Sequence, residues 1–86
     1  MTQSPLIPGN VKMQDVSNSS NVEQVGYDDQ ASDLYIVFKG GGLYRYAAVP
    51  LDVWQALQTA PSIGKYIHAN IKGKYTSERL DKPRAA

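Results

Sequence analysis

Between Phe38 and Pro50 the chain reads Phe-Lys-Gly-Gly-Gly-Leu-Tyr-Arg-Tyr-Ala-Ala-Val-Pro, and this stretch dictates the local path of everything around it. Leu34, Ile36 and Phe38 alternate with Tyr35, Val37 and Lys39, the period-2 pattern of a strand with one wholly apolar face. Gly40-Gly41-Gly42 then reverses the chain, because glycine alone reaches positive φ at little cost. Leu43 to Ala47 or Ala48 returns antiparallel, with Tyr44 and Tyr46 on one face and Arg45 on the other. Val49-Pro50 opens a helix. A sheet and a helical segment must therefore meet here.

The flanks extend that frame. Val22 to Tyr27 is a further strand, with Val25 and Tyr27 on one face and Gly26 as a candidate bulge. The turn formers Asp28-Asp29-Gln30-Ala31-Ser32-Asp33 connect it to the strand at Leu34. After Pro50, Val53, Trp54, Leu57 and Ala60 form an apolar stripe that predicts a helix to about Thr59, ended by Pro61. Ser62 is placed as the N-cap of a second helix running to about Lys72, with Ile63, Ile67 and Ile71 every fourth residue and Gly73 in its C-terminal turn. The fold class expected is α+β, a three-stranded antiparallel meander followed by two short helices packed on the face of Leu34, Ile36 and Phe38. Trp54 is the expected core anchor, and Tyr75 is expected to fold back onto the core.

Residues 1–18 hold five apolar residues after the first, Leu6, Ile7, Val11, Met13 and Val16, at no sustained period. They are expected to form a flexible tail, with Val11 to Val16 open to addition to the sheet. The folded domain is expected over residues 19–80 and a second flexible tail over 81–86. At 86 residues the chain is one domain with a small core. It contains no cysteine, which excludes disulfides, thiolate metal sites and cysteine nucleophiles. No signal peptide and no membrane-length apolar run is seen, so a soluble cytoplasmic protein is expected.

The net charge of +1 conceals a division. Over residues 1–60 three cations face six carboxylates, net −3; over residues 61–86 six cations (Lys65, Lys72, Lys74, Arg79, Lys82, Arg84) face Glu78 and Asp81, net +4. Such asymmetry points to an anionic partner or to a solvated polar end.

The order of these motifs resembles the KTSC domain, a small family named for its occurrence at the C-terminus of some lysyl-tRNA synthetases. The residues that carry the resemblance are Ser19-Ser20-Asn21-Val22 leading to Val25-Gly26-Tyr27-Asp28, then Leu34-Tyr35-Ile36-Val37-Phe38, the central Tyr44-Arg45-Tyr46, Val49-Pro50, Ala60-x-Ser62-x-Gly64-Lys65-Tyr66, and Asn70-Ile71-Lys72-Gly73-Lys74-Tyr75. Ile67-His68 stands where an aromatic followed by a polar residue is expected. The resemblance implies a stand-alone copy of a domain also found fused to a synthetase, and RNA binding as the suggested role.

Two candidate surfaces fit that role. Tyr44 and Tyr46, with Tyr35 on the neighbouring strand, can stack bases; the plainer reading is cross-strand packing. Lys65, Lys72, Lys74 and Arg79, interleaved with Tyr66 and Tyr75, can hold phosphates; the plainer reading is a solvated helix face. The remaining motifs are structural. The glycine run lacks the Lys-Ser/Thr of a phosphate loop, Ser62 is a cap with no base beside it, His68 has no partner histidine for a metal, and Asp28 and Asp29 are turn residues. No catalytic site, cofactor or metal is expected. The function expected is a non-enzymatic binding module for RNA, tRNA-like or single-stranded. The alternative is a protein-interaction adaptor or inhibitor, of a kind phages and mobile elements encode, docking a partner through Tyr44, Tyr46 or a sheet edge.

Overall fold

The computed structural model describes residues 10–17, 21–39 and 42–80. Its elements are β1 (Gln14–Asp15), β2 (Val22–Asp28), β3 (Asp33–Phe38), β4 (Leu43–Tyr46), α1 (Leu51–Gln58), α2 (Ile63–Asn70) and β5 (Ser77–Arg79). They form one five-stranded sheet in the order β1-β2-β3-β4-β5, every neighbouring pair antiparallel. The expectation of three strands is corrected to five. The meander β2-β3-β4 lies at the centre, and a strand before it and one after the helices widen it at both edges. Gln14-Asp15 and Ser77-Glu78-Arg79 have neither alternation nor β-propensity, so only pairing with β2 and β4 makes them strands. The tails expected at residues 1–9, 18 and 81–86, and Gly40 and Gly41 of the turn, lie outside the described residues.

The pairings Val25↔Ile36↔Tyr44 and Tyr27↔Leu34↔Tyr46 place these side chains on one face. That face is covered by Trp54 and Leu57 of α1 and by Ile67 and Ile71, forming the main core with Val16, Val22 and Val49. The Trp54 ring stacks on Tyr27 with centroids 5.5 Å apart and planes 10° from parallel. The Tyr27 hydroxyl donates to the Val49 carbonyl, satisfying the phenol just ahead of α1. Helix α1 starts after Pro50, whose carbonyl accepts from the N–H groups of Val53 and Trp54. Ser62 caps α2, its hydroxyl accepting from the Lys65 N–H at 3.4 Å. Gly73 reverses the chain after α2 at φ +78°, which a side chain would disfavour.

A second apolar cluster lies on the opposite face, built from Val11, Tyr35 and Leu43 with Met13, Val37 and Leu80. Residues 10–17 cover it with Val11 and Met13: Val11 is fully buried, β1 pairs with β2, and Val16 reaches the main core. The tail expected over 1–18 thus gives way at residues 10–17 to a packed strap, the addition to the sheet that Val11 to Val16 left open. Gly26 is where the strap crosses. The bulge in β2 falls at Glu23, between Val22 and Gln24, whereas Gly26 pairs regularly with Tyr35. A Cβ on Gly26 would collide with Met13 Sδ and stand 2.9 Å from Val11 Cγ1 and 3.2 Å from the Lys12 carbonyl. Close approach, and not a bulge, is what the glycine permits.

The strap is tied down at Asp28. The Asn10 amide donates to Asp28 Oδ1 at 2.9 Å, and the same oxygen accepts from the backbone N–H groups of Gln30 and Ala31. The Asn10 hydrogen bond, with the two N–H groups and against the opposing effect of burial, holds the Asp28 carboxyl below its ordinary 3.8.

Candidate nucleic-acid interface

Register decides which of the candidate residues meet. Ile36, Tyr44 and Arg79 are opposite one another across three strands, as are Leu34, Tyr46 and Ser77. Opposite residues in an antiparallel sheet project to one face, so Tyr44, Tyr46 and Arg79 share the helix-covered side. There they meet Lys72 and Gly73, from the turn after α2, and Phe38, from the end of β3. Phe38, Tyr44, Tyr46, Lys72, Gly73 and Ser77 line a cleft of about 380 Å³.

The aromatic side chains form a continuous wall. Phe38 meets Tyr44 edge to face at 5.4 Å between centroids, and Tyr44 lies 6.4 Å from Tyr46 at a tilt of 30°. Two cations stand against it: Lys72 Nζ is 5.3 Å from the Phe38 centroid and Arg79 Cζ is 5.9 Å from that of Tyr44, both within cation–π range. The site therefore combines aromatic surface with positive charge, a pairing suited to an anionic planar ligand.

The six predicted site residues do not behave as one group. Tyr44 and Lys72 line the cleft, and Arg79 stands beside it, with its guanidinium over the Tyr44 ring. Tyr46 also lines the cleft, but the residue is 4% exposed, so no ring face is open for a base to stack on. Burial, and secondarily Tyr44, pushes its phenol above 10.0. Lys65 is exposed in the first turn of α2, and Lys74 is exposed one residue beyond Gly73; neither lines the cleft. The expected stripe is thus divided. Tyr66 and Tyr75 are half-buried against the main core. Tyr35 faces away from the cleft, under the strap at 3% exposure, so it does not extend the aromatic surface. Arg45, also on that side, pairs with Glu78 opposite it on β5.

Phe38, Gly73 and Ser77 are the site residues that sequence reasoning missed. Phe38 was assigned to the core by its alternation with Leu34 and Ile36, yet it is only partly buried. The available signal is its place as the last apolar residue before the glycine turn, at the end of the sheet face that carries Tyr44. Among the described residues no group of three or more His, Asp or Glu is arranged to hold a metal ion, and no helix is long and apolar enough to cross a membrane.

Comparison with known proteins locates the chain. The profile of the KTSC domain matches residues 18–75. A lysine–tRNA ligase of Trichormus variabilis is 39% identical over 61 residues, which cover 71% of this chain and 11% of the ligase. The chain therefore spans only about a tenth of that relative. An uncharacterized protein of Stutzerimonas stutzeri is 41% identical over 64 residues, covering 73% of this chain and 90% of that one. The crystal structure of a KTSC domain protein from Yersinia pestis superposes with a TM-score of 0.78 at 34% identity, covering 81% of this chain and 97% of the other.

Proposed function

The chain belongs to the KTSC domain family, and from that premise we propose that it is a non-enzymatic module that binds single-stranded RNA through the cleft between β4, β5 and the turn after α2. The observation that carries the reading is that Tyr44 of the expected tyrosine surface and Lys72 of the expected basic stripe line one cleft with Phe38, while Arg79 of the same stripe lies over the Tyr44 ring. Aromatic rings beside cations are the means by which proteins hold unpaired bases and their phosphates. A duplex hides its base faces and would leave the aromatic wall unused. Relatives named as lysine–tRNA ligases add a context in which RNA is at hand. On this reading the folded unit is residues 19–80 with the strap before it, working in the cytoplasm. Phosphate contacts come mainly from Lys72 and Arg79, with Lys65 and Lys74 adding long-range attraction.

The test is binding of a labelled unstructured RNA and of a labelled tRNA at two salt concentrations, by the wild type and the Lys72→Ala/Arg79→Ala variant. The wild type is expected to bind with a negative slope of log K against log salt. The variant should lose roughly 0.7 of that slope for each phosphate contact removed. Absence of binding at low salt refutes the RNA reading and leaves the protein-adaptor alternative, for which a pull-down is the next experiment.

A further inference from the structure

The cations of the cleft do more than flank the aromatic wall. Lys72 lies over the Phe38 ring and Arg79 over the Tyr44 ring. A base that stacks on either ring must first displace the cation above it. A bare nucleoside offers the displaced ammonium or guanidinium nothing in return. A phosphate offers a charge-assisted hydrogen bond, and to arginine a bidentate one. Lys72 is exposed and follows α2 directly, before Gly73 at φ +78°, so its long side chain can swing without unpacking the core. Phe38 and Tyr44 are held by the sheet. The movable part of the site is the Lys72 ammonium and the fixed parts are its rings.

Resting on the RNA reading, we propose that the cleft is a phosphate-gated site for one nucleotide: a phosphate draws Lys72 off the ring of Phe38, and the base attached to it stacks on the face so uncovered. The volume of about 380 Å³ is near the small end of ligand sites and fits one nucleotide better than a run of them. The gate makes stacking conditional on the phosphate. The cleft thereby refuses free nucleosides and uncharged aromatic metabolites, which a bare aromatic wall would take.

The test is an NMR titration of the isotope-labelled full chain at low salt with three probes: adenosine, adenosine 5′-monophosphate and inorganic phosphate. The nucleotide is expected to shift resonances of Phe38, Tyr44 and Lys72 and to bind at least about tenfold more tightly than either adenosine or phosphate alone. Lys72→Ala gives the decisive crossing. By uncovering Phe38 permanently it should tighten adenosine binding about two- to fivefold, the equivalent of one exposed cation–π contact, while weakening the nucleotide. Lys12→Ala, which removes the same charge from the exposed side of the strap on the opposite face of the sheet, should leave both within twofold. The gate is overturned if adenosine binds the wild type as well as the nucleotide does, if phosphate alone matches the nucleotide, or if Lys72→Ala weakens both probes in proportion. A nucleotide that causes no shift at the cleft, while a longer RNA still binds, overturns the gate and leaves RNA binding standing. If the longer RNA fails too, both fall.

Discussion

Replacing Gly26 with alanine tests the strap directly, because the added methyl has a known set of neighbours. Met13 Sδ sits at the end of a flexible side chain and can move away. Val11 Cγ1 at 2.9 Å belongs to a stiff, fully buried residue, and the Lys12 carbonyl at 3.2 Å is backbone. The methyl must therefore push the strap off the sheet or deform β2, and overpacking of this kind costs about 1–3 kcal/mol. Against that, removing a glycine from a strand interior returns roughly 0.5–1 kcal/mol. A net loss of about 1–2 kcal/mol is expected for Gly26→Ala. A chain of this length has about 4–13 kcal/mol in total, so the effect is large enough to measure well. Urea unfolding followed by Trp54 fluorescence is the assay, and the midpoint should fall by roughly 1 M. The sharper measurement repeats the substitution in a Val11→Ala background. With the wall gone, Gly26→Ala should be near neutral there, giving a coupling energy of about 1–2 kcal/mol. If it costs the same in both backgrounds, within the roughly 0.5 kcal/mol that separates independent sites from coupled ones, the strap does not lie over Gly26 and the account of that face is wrong.

Trp54→Ala should cost about 3–5 kcal/mol, since it removes the largest side chain of the main core and its stack on Tyr27; a shift of the melting temperature of only a degree or two would contradict this. Asn10→Ala should cost about 0.5–1.5 kcal/mol at neutral pH. Because Asp28 has its pKa lowered in the folded state, its contribution is present above about pH 4 and is lost as the pH falls. The difference in melting temperature between wild type and Asn10→Ala should accordingly be widest above pH 5 and narrow as the pH falls below about 4. Ala48 holds φ +58° at an exposed position, so Ala48→Gly should raise stability by roughly 0.5–1 kcal/mol, the relief of left-handed strain exceeding the added entropy of the unfolded chain. A drop in the urea midpoint for that variant would show the strain to be absent.

The parts of the fold that could be read beforehand are those whose pattern repeats within a few residues. Leu34-Ile36-Phe38 and Ile63-Ile67-Ile71 announce a strand and a helix without reference to anything else, and Ser62 and Gly73 mark the ends of α2. β1 and β5 carry no such pattern, because edge strands made of Gln, Asp, Ser, Glu and Arg exist through their neighbours. Gly26 was ambiguous for the same reason: a glycine inside a strand signals either a bulge or a close approach, and the residues that decide, Val11 and Met13, come from a stretch without periodicity. In the site, Tyr44, Lys72 and Arg79 were legible as chemistry. That Tyr46 would be sealed and Phe38 left partly open was not, since alternation gives the face of a side chain but not how far along that face two helices reach.

β5 completes the cleft, and it is also among the least secured elements of the fold. It spans three residues, Ser77 and Glu78 are exposed, and its cross-strand ion pair to Arg45 is solvent-accessible, where such pairs contribute little. Its partner residues on β4 lie more than thirty positions earlier in the chain, so its pairing closes a long loop and carries that entropy cost. A short edge strand of this kind opens at a fraction of the free energy of global unfolding. Each opening would carry Arg79 away from Tyr44 while the core beneath stayed intact. Occupancy of the cleft should then slow amide exchange in β5 more than in β2 or β3, giving the site a thermodynamic signature separate from that of the domain that bears it.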